Sequence, residues 1–515
     1  METTDLTTKS LTGGTLLVRN SLINLIGQGI PLLVALFTIP LLIHGLGTER
    51  FGVLTLVWMV IGYFSLFDLG LGRALAQVVA EKLSTVEETQ LPHIVWTALV
   101  LMFVLGLLGG LVVGVISPWL VHSGLKIPDS LQSETLNAFS MLAAGVPIVI
   151  ITAGLAGILS AFQRFGILNA IRVPVGIYSF LAPLLILSFS RSLFLVTAAL
   201  VIGRLVGCGV LLAVCLRVMP ALRSEFYPKY EAIKPLFHFG AWMTVSNVVG
   251  PLMVYLDRFV IGAVLSMAAV AYYATPYEIV TKLSIFPGAI AGVLFPAFAA
   301  TYAENHDRMV QVFSRGTKYI ALMLFPVVLV ITAFAHEGLQ WWLGNEFARH
   351  STRVLQWLAI GVFINCLALV FITLIQGIGR PDISAKLHFL ELLIYLPVLW
   401  WAIHNYGILG AAIAWTGRVA LDGTLLLWLS SRFLGEKANI KRMTVGILVA
   451  LGGLIVPLSV DAFTNRVVIV LLMMVIFFFV GWITVLDPDE RLYIDSRMRS
   501  LIRRRNGDGR QKLRY

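Results

Sequence analysis

The sequence predicts an all-α polytopic membrane protein of about 14 transmembrane helices, grouped as two six-helix lobes plus two carboxyl-terminal helices. Three observations predict it. Apolar residues make up 58% of the chain and charged residues 13%, against roughly 25% charged in soluble domains. Stretches able to cross a ~30 Å hydrocarbon core, which takes about 20 helical residues, follow one another almost without pause. Lysine and arginine gather in alternate gaps between those stretches.

In chain order, the predicted spans of the first lobe are 16–43, 51–69, 94–120, 136–162, 167–189 and 193–216. The polar runs Gln163-Arg-Phe-Gly166 and Ser188-Phe-Ser-Arg-Ser192 serve as tight turns between the later ones. A cytoplasmic linker, 219–235, leads to spans 236–263, 270–298, 317–343, 354–378, 385–404 and 407–431. Two additional spans, 443–461 and 466–486, precede a basic tail over 487–515. The corresponding segments are 1–218, 236–432 and 433–486.

Orientation follows from the basic residues. Of 38 lysines and arginines, 28 fall in the gaps shared with the two termini, 6 in the opposite gaps and 4 within spans. The positive-inside rule then puts both termini in the cytoplasm, which an even number of spans requires. The same rule explains the net charge of +11 without a nucleic-acid partner. Arg503-Arg-Arg505 in the tail is placed to lie against anionic lipid headgroups. Cys208, Cys215 and Cys366 fall within spans and have neither metal-ligand nor disulfide spacing. No phosphate-binding loop, zinc-protease helix or nucleophile elbow occurs, and the longest gaps are too short for a catalytic domain. No cofactor is expected.

Four basic residues inside the spans carry the functional reading. An ionisable side chain at mid-span costs about 2.5–3.5 kcal/mol on insertion scales, so it faces a cavity or a partner. In the hairpin turning near Met267, Asp257 and Arg258 stand level with Glu278 and Lys282. In the hairpin turning near Tyr406, Glu391 shares a layer with Arg418 and Asp422. Each group is either a self-neutralising ion-pair network or a site for substrate and a coupling ion, H+ or Na+, with Asp257, Glu278 and Glu391 as the ion-binding acids. Arg204 has no partner in its own hairpin, which makes it a candidate for an anion brought by a substrate. Arg19, with Asn20 and Asn24, lies level with Asp68 through Arg73; these residues form either a polar cytoplasmic entrance or ordinary flanking anchors.

Prolines such as Pro31, Pro147, Pro287 and Pro397 interrupt most spans, and each removes a backbone hydrogen bond. They favour a bundle that flexes. A weak internal echo, Asn20 to Pro31 against Asn247 to Pro251, recurs at an offset of about 220 residues, or six spans. That is the period of a transporter built on repeats.

Those same residues resemble a known family. The run Asn20, Pro31, Pro40, Gly47-Thr-Glu-Arg-Phe-Gly52, then Phe67-Asp-Leu-Gly-Leu-Gly-Arg-Ala74, resembles the start of the polysaccharide transporters, or O-antigen-type flippases. Tyr255-Leu-Asp-Arg-Phe-Val-Ile-Gly262, Tyr272-Tyr273, Pro276-Tyr-Glu-Ile279 and Lys282 resemble their second lobe. The resemblance implies the V-shaped, two-lobed fold of the multidrug/oligosaccharidyl-lipid/polysaccharide exporter superfamily. It also implies transfer of an undecaprenyl-pyrophosphate-linked sugar repeat unit between leaflets of a bacterial inner membrane, for surface polysaccharide such as O-antigen, capsule or exopolysaccharide. The implied partners are that lipid-linked oligosaccharide, membrane lipids, and polysaccharide polymerase and chain-length proteins.

Such a substrate needs a cationic, hydrated cavity, to which Arg204, Arg258, Lys282 and Arg418 would lend charge, with Arg19 and Arg73 at its entrance. The polyprenyl tail stays in lipid between the lobes. Two alternatives remain. One is a cation-coupled drug antiporter of the same superfamily, whose cavity should be mainly acidic. The other is a membrane enzyme acting on lipid-linked sugars, which would normally carry a larger outside loop.

Overall fold

A computed structural model describes residues 14–66, 71–84, 91–223, 252–435, 440–460 and 462–480, all of them in helices or short connections. The linker beyond Arg223, the basic tail, Asn247 and the side chains of Arg19 and Arg73 lie outside the described residues. Helix α1 is Gly14–Leu46, α2 Thr48–Leu66, α3 Leu71–Ser84 and α4 Leu91–Trp119. Then come α5, Asp129–Ala161, α6, Phe165–Leu187, and α7, Leu193–Val218. Helix α8 covers 252–264, followed by α9, Met267–Thr281, and α10, Ile285–Glu304. The remainder is α11, His306–Ala333; α12, Ala335–Leu343; α13, Asn345–Gly377; α14, Pro381–Leu434; α15, Ile440–Ile455; and α16, Phe463–Val480.

Among the described residues, 10 helical stretches are long and apolar enough to cross a membrane. One of them, α14, holds two of the expected spans. Its 54 residues are interrupted at Gly407, whose φ of 60° and ψ of −145° lie where only glycine sits comfortably. The chain doubles back there, so closely that a Cβ on Gly410 would meet the Ala402 carbonyl.

Two features differ from the sequence reading. Helix α3 falls in what reads as a polar gap. Its apolar positions Leu71, Leu75 and Val79 recur every four residues, a stripe too short to span but sufficient to bury against α5. The expected span 270–298 is two helices joined by a tighter turn at Lys282–Ser284. Pro287 explains the break: it has no N–H to give the Leu283 carbonyl and its ring crowds that carbonyl.

Lipid is as apolar as leucine, so helices in membranes associate through close packing and polar contacts. Helices α4 and α5 show this. A Cβ on Gly106 would stand 2.4 Å from Pro147 Cα, and one on Gly110 would stand 2.5 Å from the Ala143 carbonyl oxygen. The glycine stripe thus lets two backbones touch, while Phe103, Leu107, Leu111 and Val115 stay exposed on the other side for lipid. In the second lobe α13 is the most enclosed span, packed by α9, α10, α11, α12 and α14. The last helix, α16, is held to α11 and α12 by stacking of Phe477 on Phe325 and by Arg466, which donates to Glu337 at 2.6 Å, and α15 packs on α11.

The lobes meet at one end. Helix α2 packs on α9, where a Cβ on Gly52 would lie 2.0 Å from the Met267 carbonyl oxygen. The Lys126 backbone N–H donates to the Gly262 carbonyl at 2.9 Å and its Nζ to the Val264 carbonyl at 2.5 Å. Trp342 Nε1 donates to the Leu36 carbonyl at 2.6 Å. All these contacts lie near turns expected to be periplasmic, so that face is closed.

Candidate functional site: a charged cavity in the second lobe

The site begins with a short turn. Leu265 and Ser266 reverse the chain between α8 and α9, and the Ser266 hydroxyl caps α9 by accepting from the Ala269 N–H at 3.1 Å. The reversal brings mid-α8 beside mid-α9. Arg258 Nη2 donates to Glu278 Oε1 at 3.0 Å, and Nη1 donates to the Val254 carbonyl at 2.9 Å. Asp257 is wholly buried; it accepts from the Tyr273 hydroxyl at 2.6 Å and from the Arg258 backbone N–H at 2.8 Å. Lys282, one turn beyond Glu278, brings Nζ to 3.4 Å from Glu278 Oε2. Glu278 therefore bridges two cations.

Arg258 itself is only 1% exposed. Its guanidinium lies 4.3 Å from the Tyr277 ring centre and 5.6 Å from that of Tyr255. Cation–π contact and two acids together compensate the loss of water around a charge that could not otherwise be buried.

The second hairpin adds a parallel group. Arg418 Nη1 stands 3.5 Å from Glu391 Oε2, and His388 Nε2 stands 3.7 Å from Asp422 Oδ1. Arg418 also lies over the Tyr395 ring at 5.5 Å and touches Met253 of α8, so this group adjoins the first. The two hairpins, separate in sequence, border one cavity of about 280 Å³. Its wall includes Tyr277, Glu278, Lys282, Asn365, Trp415 and Arg418. The tightened turn at Lys282–Ser284 lies on this wall, so the Pro287 break opens the backbone beside the cavity. Buried donors Arg418 Nε and Trp415 Nε1 have no hydrogen-bond partner among the described residues.

The candidates thus separate into three groups. Glu278, Lys282 and Arg418 line the cavity; Asp257, Arg258 and Glu391 stand one layer behind or beside it. Arg204 is elsewhere, half-buried on α7. Gly203 and Gly207 bring its helix against Tyr178 and Val175 of α6, and it has no ion pair among the described residues. The backbones of Arg19 and Arg73 lie in α1 and α3. Sequence reasoning missed Asn365, Trp415, Tyr395 and His388. Two signals were available: Asn365 is an amide at the centre of an apolar span, and His388 and Tyr395 sit three before and four after Glu391, on one helical face.

Comparison with known proteins adds the family. A family described as polysaccharide biosynthesis protein matches residues 46–352. A candidate O-antigen transporter of Shigella flexneri is 32% identical over 428 residues, covering 82% of this chain and 100% of that protein. A probable low-salt glycan biosynthesis flippase of Haloferax volcanii is 24% identical over 231 residues, 44% of this chain and 49% of that one. Among solved structures, an inward-facing multidrug resistance transporter of the MATE family and MOP superfamily superposes with a TM-score of 0.68. It is 17% identical, over 82% of this chain and 99% of that one, and so shows the fold alone.

Proposed function

This chain belongs to the polysaccharide biosynthesis protein family, and on that premise we propose that it is a flippase for a lipid-linked oligosaccharide. It carries an undecaprenyl-pyrophosphate-linked repeat unit from the cytoplasmic to the periplasmic leaflet of a bacterial inner membrane by alternating access, with both termini cytoplasmic. One observation carries the reading: a cavity at mid-span walled by Lys282, Arg418 and Trp415, where Arg418 Nε and Trp415 Nε1 have no acceptor among the described residues. Buried donors are rarely left unpaired. A pyrophosphate bearing sugars supplies acceptor oxygens in quantity, and arginine binds such oxygens through a charge-assisted fork.

Glu278 gives the site its working logic. With the periplasmic side closed, its carboxylate occupies the position between Arg258 and Lys282 that a phosphate would take. Substrate entering from the cytoplasm, past Arg19 and Arg73, displaces it from Lys282 and engages Arg418. The anion exchanges one set of charge partners for another and never meets bare hydrocarbon. Arg258 acts as a positioning residue behind Glu278. Asp257, Glu278 and Glu391 are the acids that take a coupling proton or sodium ion. Glu391 is best placed, because neither oxygen has a well-formed hydrogen bond and Asp422 adjoins it. Arg204 offers a second cation on the first lobe.

The test is leaflet exchange of a pyrophosphate-linked oligosaccharide in proteoliposomes. Lys282→Ala and Arg418→Ala should each slow exchange by roughly tenfold to a hundredfold, the range for losing a hydrogen bond to a charged group. Exchange that survives both substitutions would sink the reading. The acids Asp257, Glu278, Glu391 and Asp422 outnumber the three cations beside them, which keeps a cation antiporter as the second reading. Drug-driven proton movement in the same vesicles, without lipid exchange, would establish it.

A further inference from the structure

A second cavity, of about 320 Å³, lies between the lobes, and its chemistry is the reverse of the first. Its wall takes Met59 and Phe64 from α2, Ile116 from α4, Phe139 from α5, and Leu256 and Phe259 from α8. The Ser117 hydroxyl on that wall donates back to the Val113 carbonyl at 2.5 Å, so it offers little to water. Such a wall offers water few hydrogen-bond partners. Tyr255 lines both this chamber and the charged cavity. Its hydroxyl is seated over Gly62, where an added Cβ would come within 3.0 Å of it. Two cavities of opposite polarity therefore share one aromatic side chain as their partition.

We propose that this chamber holds the first few prenyl units of the lipid substrate while the charged cavity holds its pyrophosphate. The proposal rests on the flippase reading and narrows it, because the near end of the tail is gripped by protein and only the remainder lies in bilayer. Three features select this occupant. A ligand that fills both cavities must be an amphiphile with an acceptor-rich head joined directly to an apolar chain. An apolar cation would meet Lys282 and Arg418 at the head position. The flat rings of Phe64, Phe139 and Phe259 suit the planar double-bond units of a prenyl chain. The gain over bulk lipid comes from contact: the walls of an empty void forfeit dispersion partners that a seated chain restores. The structural consequence is register, since a fixed tail sets how far the phosphates reach along α9.

The test uses the full chain in proteoliposomes and a pyrophosphate-linked sugar with a diazirine on its second prenyl unit. Photolysis should label residues on the 59–64, 112–120 and 252–259 segments, and an unlabelled long-chain substrate should compete. Ile116→Trp and Leu256→Trp, which fill the chamber from one lobe and from the other, should cut exchange of the long-chain substrate by roughly tenfold. Binding of an analogue with the same head on a single prenyl unit should stay unchanged. Labelling confined to lipid-facing positions such as Leu107 and Leu111 would overturn the proposal, as would unchanged exchange in both filled variants. Equal labelling by a diazirine phospholipid would assign the chamber to ordinary lipid, and displacement of the probe by an apolar dye cation would assign it to drugs. Failure of the flippase reading is separable: it appears as absence of exchange in the unsubstituted protein, whatever the labelling pattern.

Discussion

In the second lobe Arg258, Lys282 and Arg418 each have a carboxylate within 3.5 Å, at 3.0, 3.4 and 3.5 Å respectively. In the first lobe Arg204 stands on α7 with no ion pair among the described residues. Both lobes insert charge at mid-span, but only one supplies the opposite charge from its own helices. The difference teaches that the second lobe is built to be stable when empty. Its cations are already balanced, so an anion entering this cavity would have to compete with carboxylates rather than fill a positive hole. A single unpaired arginine is the more costly arrangement, and it gives the first lobe a reason to draw an anion towards it.

The largest expected effect comes from breaking that balance. Arg258→Met leaves Asp257 and Glu278 without their common partner in a site that is 1% exposed at the arginine. Removing one member of a buried pair costs about 3–5 kcal/mol. Thermal unfolding in detergent should show a clear drop for Arg258→Met and little change for Arg204→Met. Equal drops for the two would erase the distinction between the lobes. Glu278→Gln sharpens it from the other side. It removes the resident anion from Lys282, so a pyrophosphate-linked probe should bind several-fold more tightly while exchange slows. Weaker binding would mean that Glu278 holds the cations in place instead of occupying the substrate's position.

The closed face offers a third test, of intermediate size. A side chain at Gly52 has no room, since its Cβ would overlap the Met267 carbonyl. Gly52→Val should force the lobes apart there. Exchange should fall, and a cysteine placed at Ala269 should become open to a membrane-impermeant thiol reagent. Full exchange with no gain in labelling would show that the contact between α2 and α9 is dispensable.

The helical membrane class and the two charged hairpins were legible in the sequence because hydrocarbon imposes span length and the short turns near Met267 and Tyr406 are local. The pairing of Arg258 with Glu278 was legible for the same reason, as two antiparallel helices joined by a short turn must match in depth. Convergence of the two charged hairpins on one cavity was not, because it depends on how α9, α13 and α14 pack, which no hairpin encodes. Helix α3 was hidden by its length. The break at Lys282–Ser284 had a sign, Pro287, but thirteen span prolines share that sign and only packing decides which of them opens a helix.

The smallest effect isolates burial from pairing. Arg50 Nε lies 3.2 Å from Glu134 Oε2, an ion pair within the first lobe whose arginine is 34% exposed. A half-buried pair open to solvent on its arginine side contributes about 1 kcal/mol or less and is partly screened by salt. Arg50→Ala should therefore shift unfolding only slightly, and less still in high salt. Glu134→Ala should cost more than Arg50→Ala, because Glu134 Oε1 also accepts the Leu193 N–H at 2.6 Å at the start of α7. Losing such a cap typically costs ~1 kcal/mol. The two ends of the ordering Arg258→Met, then Glu134→Ala, then Arg50→Ala follow from solvent exposure, as arginine–carboxylate contacts of similar length are involved in both, while the cap on α7 sets the middle position. If Arg50→Ala instead proved as damaging as Arg258→Met, the number of ion pairs would matter more than their depth. The second lobe's cluster would then be an ordinary clasp between helices and not the charged floor of a binding cavity.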